Sequence, residues 1–203
     1  MWPSLARVRW DRFFEDLEDQ LDSEWEAERA ALDTEAERLR VARMTLHERL
    51  LALSVEAGEV LVELAGHGPV RGCVVAVGPD WLAVDAAGGH GAVLIPSVAV
   101  DSLGSAHDAI LRSARGARPR PLQERMTFGF VLRDLVRRRV PVHVDLRSGG
   151  TLPGTIDRAA SDHLDLALHE AGVPRRSDLV LGHRIVPFTA IAGVRPASFT
   201  APL

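Results

Sequence analysis

Before residue 54 the apolar residues recur every three or four positions, and from residue 59 onward they alternate with polar ones in short bursts. Trp10, Phe14, Leu17, Leu21, Trp25, Leu32, Leu39, Met44, Leu46, Leu50 and Leu53 fall at helical spacing, in a stretch without Pro or Gly that is rich in Ala, Leu, Glu and Arg. The pattern predicts a long helix from Trp10 to about Leu53. Unbroken, it would run roughly 65 Å at about 1.5 Å per residue, and a helix of that length needs a partner surface. Glu24, Glu28 and Glu35 interrupt the stripe, so no strict heptad passes through. The first 25 residues hold Trp2, Trp10, Phe13, Phe14 and Trp25, half of the chain's ten aromatics. Trp10, Phe13, Phe14, Leu17 and Trp25 are therefore candidate docking residues for a protein partner, a second copy or the chain's own body.

The alternating part is a repeat. Laying "EVLVELAGHGPVRGCVVAVGPDWLAV" (59–84) over "PVHVDLRSGGTLPGTIDRAASDHLDL" (141–166), an offset of 82, matches Val60 with Val142, Val62 with Val144, Leu64 with Leu146 and Leu82 with Leu164. Gly68, Gly72 and Asp80 fall on Gly150, Gly154 and Asp162, and at offset 91 "LIPSVAV" meets "IVPFTAI". The preceding "MTLHERLLAL" likewise sits over "MTFGFVLRDL". Each copy thus reads as a helix and five strands. Gly72 or Gly154 inside the second strand permits a sharp bend or close backbone approach, and a Pro ends the fourth strand. The expected fold class is α+β, mainly β: a long N-terminal helix and two tandem five-stranded barrels, each preceded by a helix. The boundaries are 1–43 for the acidic helix, 44–103 for the first barrel with its helix, 104–120 for an Arg-rich linker, 121–195 for the second barrel with its helix, and 196–203 for a tail.

A helix leading into "RRRVPVHVDLRSGGTLPGTI", then "DHLDL", then a Pro-turn-strand ending, resembles the Sm-like fold in its Hfq-like form; a generic SH3-like barrel shares the same strand lengths. Leu122 and Gln123 match that family's helix start, Arg137 to Arg139 the helix end, and Gly150 and Gly154 the turn and bend. The resemblance implies small barrels, RNA as a possible ligand, and assembly by pairing the edges of strands four and five, which a tandem could instead satisfy internally. Where the Hfq-like pattern has a Lys-His pair, this chain reads "VPFTAI".

Charge refines the picture. The net charge is −4, but residues 1–56 carry 8 Arg against 14 acids, while residues 112–139 hold nine Arg against Glu124 and Asp134. Arg112, Arg115, Arg118, Arg120, Gln123, Arg133 and Arg137 are the candidate contacts for a polyanion or for the acidic helix. Arginines at a helix C-terminus also complement its dipole. Every basic residue among the 24 is Arg, so arginine count alone says little about nucleic acid. Cys73 is the one cysteine and reads as a packing residue. His163 and His169 near Asp162 and Asp165 suggest a metal, but alternation sends neighbours to opposite faces. No nucleophile elbow, phosphate loop or zinc-protease motif occurs, so no enzyme activity and no cofactor is expected. With no long apolar run the expected location is the cytoplasm, away from membranes. Two functions remain: a non-catalytic assembly or adaptor protein, and an RNA-binding protein using the Arg-rich linker and second-barrel helix.

Overall fold

The structure, a computed structural model, describes residues 25, 29, 33–89, 91–117, 125–170 and 176–197. The chain divides into two units, Met1–Met44 and Thr45–Leu203. In the first, residues 33–43 are helical (α1) and exposed, with Arg40 paired to Glu37. The predicted long helix is corrected at its end: the backbone leaves helical geometry at Met44, and Thr45 starts α2 (Leu46–Glu56) with a capping box. Thr45 Oγ1 accepts from Glu48 N–H at 3.3 Å while the Glu48 carboxylate accepts from Thr45 N–H at 2.7 Å. The Thr-x-x-Glu signal thus overrides an apolar periodicity that runs straight through it. No helix among the described residues is long and apolar enough to cross a membrane.

The second unit is built on strands β1 (Glu59–Leu64), β2 (His67–Val77), β3 (Trp81–Ala86), β4 (Gly91–Pro96), β5 (Val100–Ser105), β6 (Pro141–Leu146), β7 (Thr151–Ala159), β8 (His163–Leu168), β9 (Gly182–Pro187) and β10 (Ile191–Pro196), with α3 (His107–Ser113) and α4 (Phe128–Arg138) between β5 and β6. The repeat holds at the level of register. Val60 faces Gly72 as Val142 faces Gly154, Val62 faces Leu103 as Val144 faces Val194, and Leu82 faces Ile95 as Leu164 faces Val186. Even the irregularity in the second strand recurs, between Val74 and Ala76 and between Ile156 and Arg158. Each Pro-ended fourth strand turns through one 3-10 turn, Ser97–Ala99 or Phe188–Ala190, into the fifth. Gly72 and Gly154 are there for close approach: an added Cβ would run into the carbonyls of Asp85 and Ala167 on the neighbouring strands.

The expectation of two tandem closed barrels, Sm-like or SH3-like, is overturned. All ten strands belong to a single antiparallel sheet in the order β5-β1-β2-β3-β4-β10-β6-β7-β8-β9, and this sheet is not closed. The physical reason is the β4 edge, which pairs with β10 of the other copy through Leu94 and Val194. That junction merges the copies' interiors. One apolar cluster holds Leu50, Val60, Val62, Val84 and Ile95 of copy one. The other packs α4 and copy two around Trp81, Ala83 and Leu94, three residues of copy one.

Polar contacts fix the second copy's helix onto the first copy's sheet. The Asp80 carboxylate accepts from Phe128 N–H, in the first turn of α4, at 2.8 Å, and Trp81 Nε1–H donates to the Met126 carbonyl at 2.5 Å. Thr127, the residue before the helix, accepts from Phe130 N–H. Phe130 stands where α2 has Glu48, so Asp80 adds the acidic partner that α4 lacks locally. His67 Nε2 also lies 2.9 Å from the Leu146 carbonyl. Two stability outcomes follow. Asp80→Ala should cost about 0.5–2 kcal/mol through removal of the cap, and Gly154→Ala about 1–3 kcal/mol through backbone overpacking. Urea titration should give both falls, with Gly68→Ala, where an added Cβ meets nothing within 4 Å, as the near-neutral control.

Candidate functional site

The described members of the anticipated arginine set make separate contacts. Arg112, on α3, forms a salt bridge with Glu56 of α2 at 2.9 Å; that hydrogen bond holds its guanidinium above the ordinary arginine value, with Coulomb attraction next. It clamps α3 to α2 alongside Arg49, which donates to Ser113 Oγ and to the Ile110 carbonyl. Arg115 follows α3 in a turn. Arg133 leans toward the Ala160 carbonyl at 3.4 Å. Arg137 and Arg138 both reach Asp134 one helical turn away. Arg118, Arg120 and Gln123 lie outside the described residues, as do Trp10, Phe13, Phe14 and Leu17 of the docking set; Trp25 is helical and 66% exposed.

A different group of basic side chains meets in copy two. A cleft of about 970 Å³ lies between the C-terminal end of α4 and strands β7, β8 and β9, lined by Arg137, Arg139, Arg158, His183, Arg184 and Ile185 with Asp157 and Asp165. Each element delivers its residue for a local reason. Arg139 caps α4 in a left-handed conformation (φ 51°), as Ala57 caps α2 (φ 48°). Arg158 follows the β7 irregularity, opposite Asp165. Arg184 and Ile185 stand on β9, which within the described residues pairs on one side alone, with β8. His183 Nε2 is 3.9 Å from Asp157.

Comparison between copies shows that the fold does not require this chemistry. The positions of Arg137, Arg139, Arg158, His183 and Arg184 are held in copy one by Val55, Ala57, Ala76, Ala92 and Val93. The charged set is therefore particular to copy two. A reading confined to runs of arginine misses it, because its members are scattered over three elements; a position-by-position comparison of the two copies is the signal that finds them.

His163 and His169, which the sequence does not mark as metal ligands, both contact protein groups. His169, buried, has Nε2 2.9 Å from Thr155 Oγ1 and Nδ1 3.0 Å from the Glu170 carbonyl. His163 Nδ1 sits 2.7 Å from Asp162, and this hydrogen bond holds the Asp162 carboxyl below its ordinary value. Among the described residues no three His, Cys, Asp or Glu side chains gather as a metal site. The buried Asp145 carboxylate accepts from Thr151 Oγ1 at 2.7 Å and Arg195 at 2.6 Å, a structural pair close to the β4–β10 junction.

The chain matches no family model, no curated protein and no solved structure.

The two arginine groups should separate on substitution. Arg112→Gln should lower Tm, because Glu56 Oε2, already buried without a hydrogen-bond partner, then loses its carboxylate's counter-ion. Arg158→Gln and Arg184→Gln, on exposed positions, should leave Tm nearly unchanged in differential scanning fluorimetry.

Proposed function

We propose that the chain is a non-catalytic assembly module, of the cytoplasm, that joins other protein through the outer edges of its sheet, where among the described residues β9 and β5 each pair on one side alone. The observation that carries this reading is a difference between equivalent positions. Leu94, on β4, is fully buried against β10; Ile185, its counterpart on β9, is 72% exposed. A β-branched apolar residue on an edge strand, beside unpaired backbone groups, favours strand addition. Burying Ile185 would contribute about 1.5–3 kcal/mol. Charges beside it on β9, His183 and Arg184, discourage indiscriminate pairing and restrict the partner to one of matching charge. A docking role for Trp10, Phe13 and Phe14, which lie outside the described residues, would add a second contact.

A second reading, RNA binding, is favoured by the arginines that copy two carries and copy one lacks. Were it correct, Arg158→Gln with Arg184→Gln would flatten the salt dependence of single-stranded RNA binding by about 0.7 for each phosphate no longer neutralised. Filter binding that is absent, or equal in the wild type and the double variant, ends that reading at this cleft.

Light scattering after size exclusion tests the assembly reading. The wild-type chain should elute above its single-chain mass of 22.1 kDa, and Ile185→Arg should bring it down with the circular dichroism spectrum unchanged. A wild type at single-chain mass across micromolar concentrations would contradict the proposal.

A further inference from the structure

Independently of the sheet edges, we infer that the chain binds a small zwitterion, of the free aliphatic α-amino-acid class, in a second cleft where its two copies meet. This cleft, of about 460 Å³, is lined by Leu64, Val70, Arg71 and Val93 of copy one and by Asp145 and Arg195 of copy two. Neither copy could form it alone. His67, which also lines it, ties the copies together there through the Leu146 carbonyl.

The Asp145 carboxylate is the buried polar group of the cleft. Its side chain is 8% exposed, and its hydrogen bonds from Thr151 Oγ1, at 2.7 Å, and from Arg195, at 2.6 Å, both fall on Oδ1. Among the described residues Oδ2 receives neither, and a carboxylate oxygen held so far from bulk water is stabilised by a donor of its own. Copy one shows how the fold can supply one. There Glu63 stands for Asp145, and its Oε2 accepts from Ser102 Oγ at 2.6 Å. Copy two has Gly193 in place of Ser102 and a carboxylate one methylene shorter. A Cβ at Gly193 would lie 3.2 Å from Val93 Cγ1 and 3.9 Å from Asp145 Oδ2, so the missing side chain leaves room between two residues that line the cleft. The donor that copy one takes from its own chain is absent in copy two, and a ligand can take its place.

The surrounding charges define that ligand. Oδ2 calls for an N–H donor, and a cationic one makes the stronger bond. Arg71, which is exposed, and Arg195, whose side chain is 44% exposed, call for an anion and disfavour a ligand that is cationic throughout. A simple anion, in turn, has nothing to give Asp145. An α-amino acid carries both groups: its ammonium suits Oδ2 and its carboxylate the Arg71 guanidinium, while Leu64, Val70 and Val93 offer an aliphatic wall to the side chain. No aromatic ring is among the described lining residues, so none is there to stack a nucleobase. The equivalents of Arg71 and Arg195 in the other copy are Pro153 and Gly104, so the fold itself does not require these charges.

Isothermal titration of the full chain with L-leucine tests the inference. Two probes dissect it: 4-methylpentanoate, which lacks the ammonium group, and 3-methylbutylamine, which lacks the carboxylate. L-Leucine should bind and raise Tm, and each probe should bind about tenfold or more weakly, the loss of one charge-assisted contact. Arg71→Glu, at an exposed position, should weaken L-leucine binding by about tenfold or more without changing the Tm of the free protein. Arg184→Gln, in the other cleft, should leave binding as it is. Amide NMR shifts on adding L-leucine should concentrate at Ala87, Val93 and Gly193, which locates the site without any substitution. Absence of binding by L-leucine, L-valine and L-methionine at millimolar concentration would overturn the inference. So would 4-methylpentanoate binding as well as L-leucine, because Asp145 would then take no part. Adenosine monophosphate binding more tightly than L-leucine, with shifts at the same residues, would replace the amino acid with a nucleotide and overturn it too.

Discussion

Strand β4 has a row of backbone N–H and C=O groups on the side away from β3, and β10 meets that side with Val194 opposite Leu94. Without that pairing Leu94, fully buried at the junction, would sit on an open edge, as its counterpart Ile185 does. The contact also fixes where everything downstream lies. Because β10 is hydrogen-bonded to β6, seating β10 on β4 brings the second copy alongside the first, and α4 then reaches Asp80 and Trp81. Trp81, Ala83 and Leu94 complete a core most of whose members come from copy two. The copies are repeats that differ in circumstance: one has its fourth strand covered, and among the described residues the other's fourth strand lies at an end of the sheet.

That asymmetry accounts for the differences between the copies. In copy one, Ala76 and Ala83 pack against the core that copy two dominates, and Val93, which follows Ala92, lies beside Gly193 of β10. Copy two, whose fourth strand forms an end of the sheet, has Arg158, Asp165, His183 and Arg184 at those positions. An open apolar edge is an aggregation hazard, and charged side chains are the usual guard against it. Ile185 keeps one apolar contact available among them. On the assembly reading proposed above, such an edge would be selective, rather than closed to partners or open to all.

Much of this was legible in the sequence. The two offsets, 82 and 91, recovered register as well as element order: each cross-strand pair quoted for copy one recurs in copy two at those spacings. The side of a strand that would pair was not legible, because backbone hydrogen-bonding groups are the same in every residue and alternation reports the faces of a sheet, not its edges. A faint sign was present in the consecutive Val93, Leu94 and Ile95, which suit a strand covered on both faces, against Arg184, Ile185 and Val186. The helix break at Met44 was encoded by Thr45 and Glu48 but hidden under a continuous apolar stripe. The arginines were harder. Sequence proximity grouped Arg112 with Arg137, whereas the fold spends Arg112 on Glu56 and assembles Arg137 with Arg139, Arg158 and Arg184 from distant segments.

Hydrogen exchange of the full chain, followed by mass spectrometry at rising protein concentration, addresses the central claim most directly. If the ends of the sheet join between chains, peptides covering Val100–Ser105 and Gly182–Pro187 gain protection together as concentration rises, while the interior β2 and β7 peptides do not change. Exchange in both end strands that stays the same from low to high micromolar concentration would contradict the account.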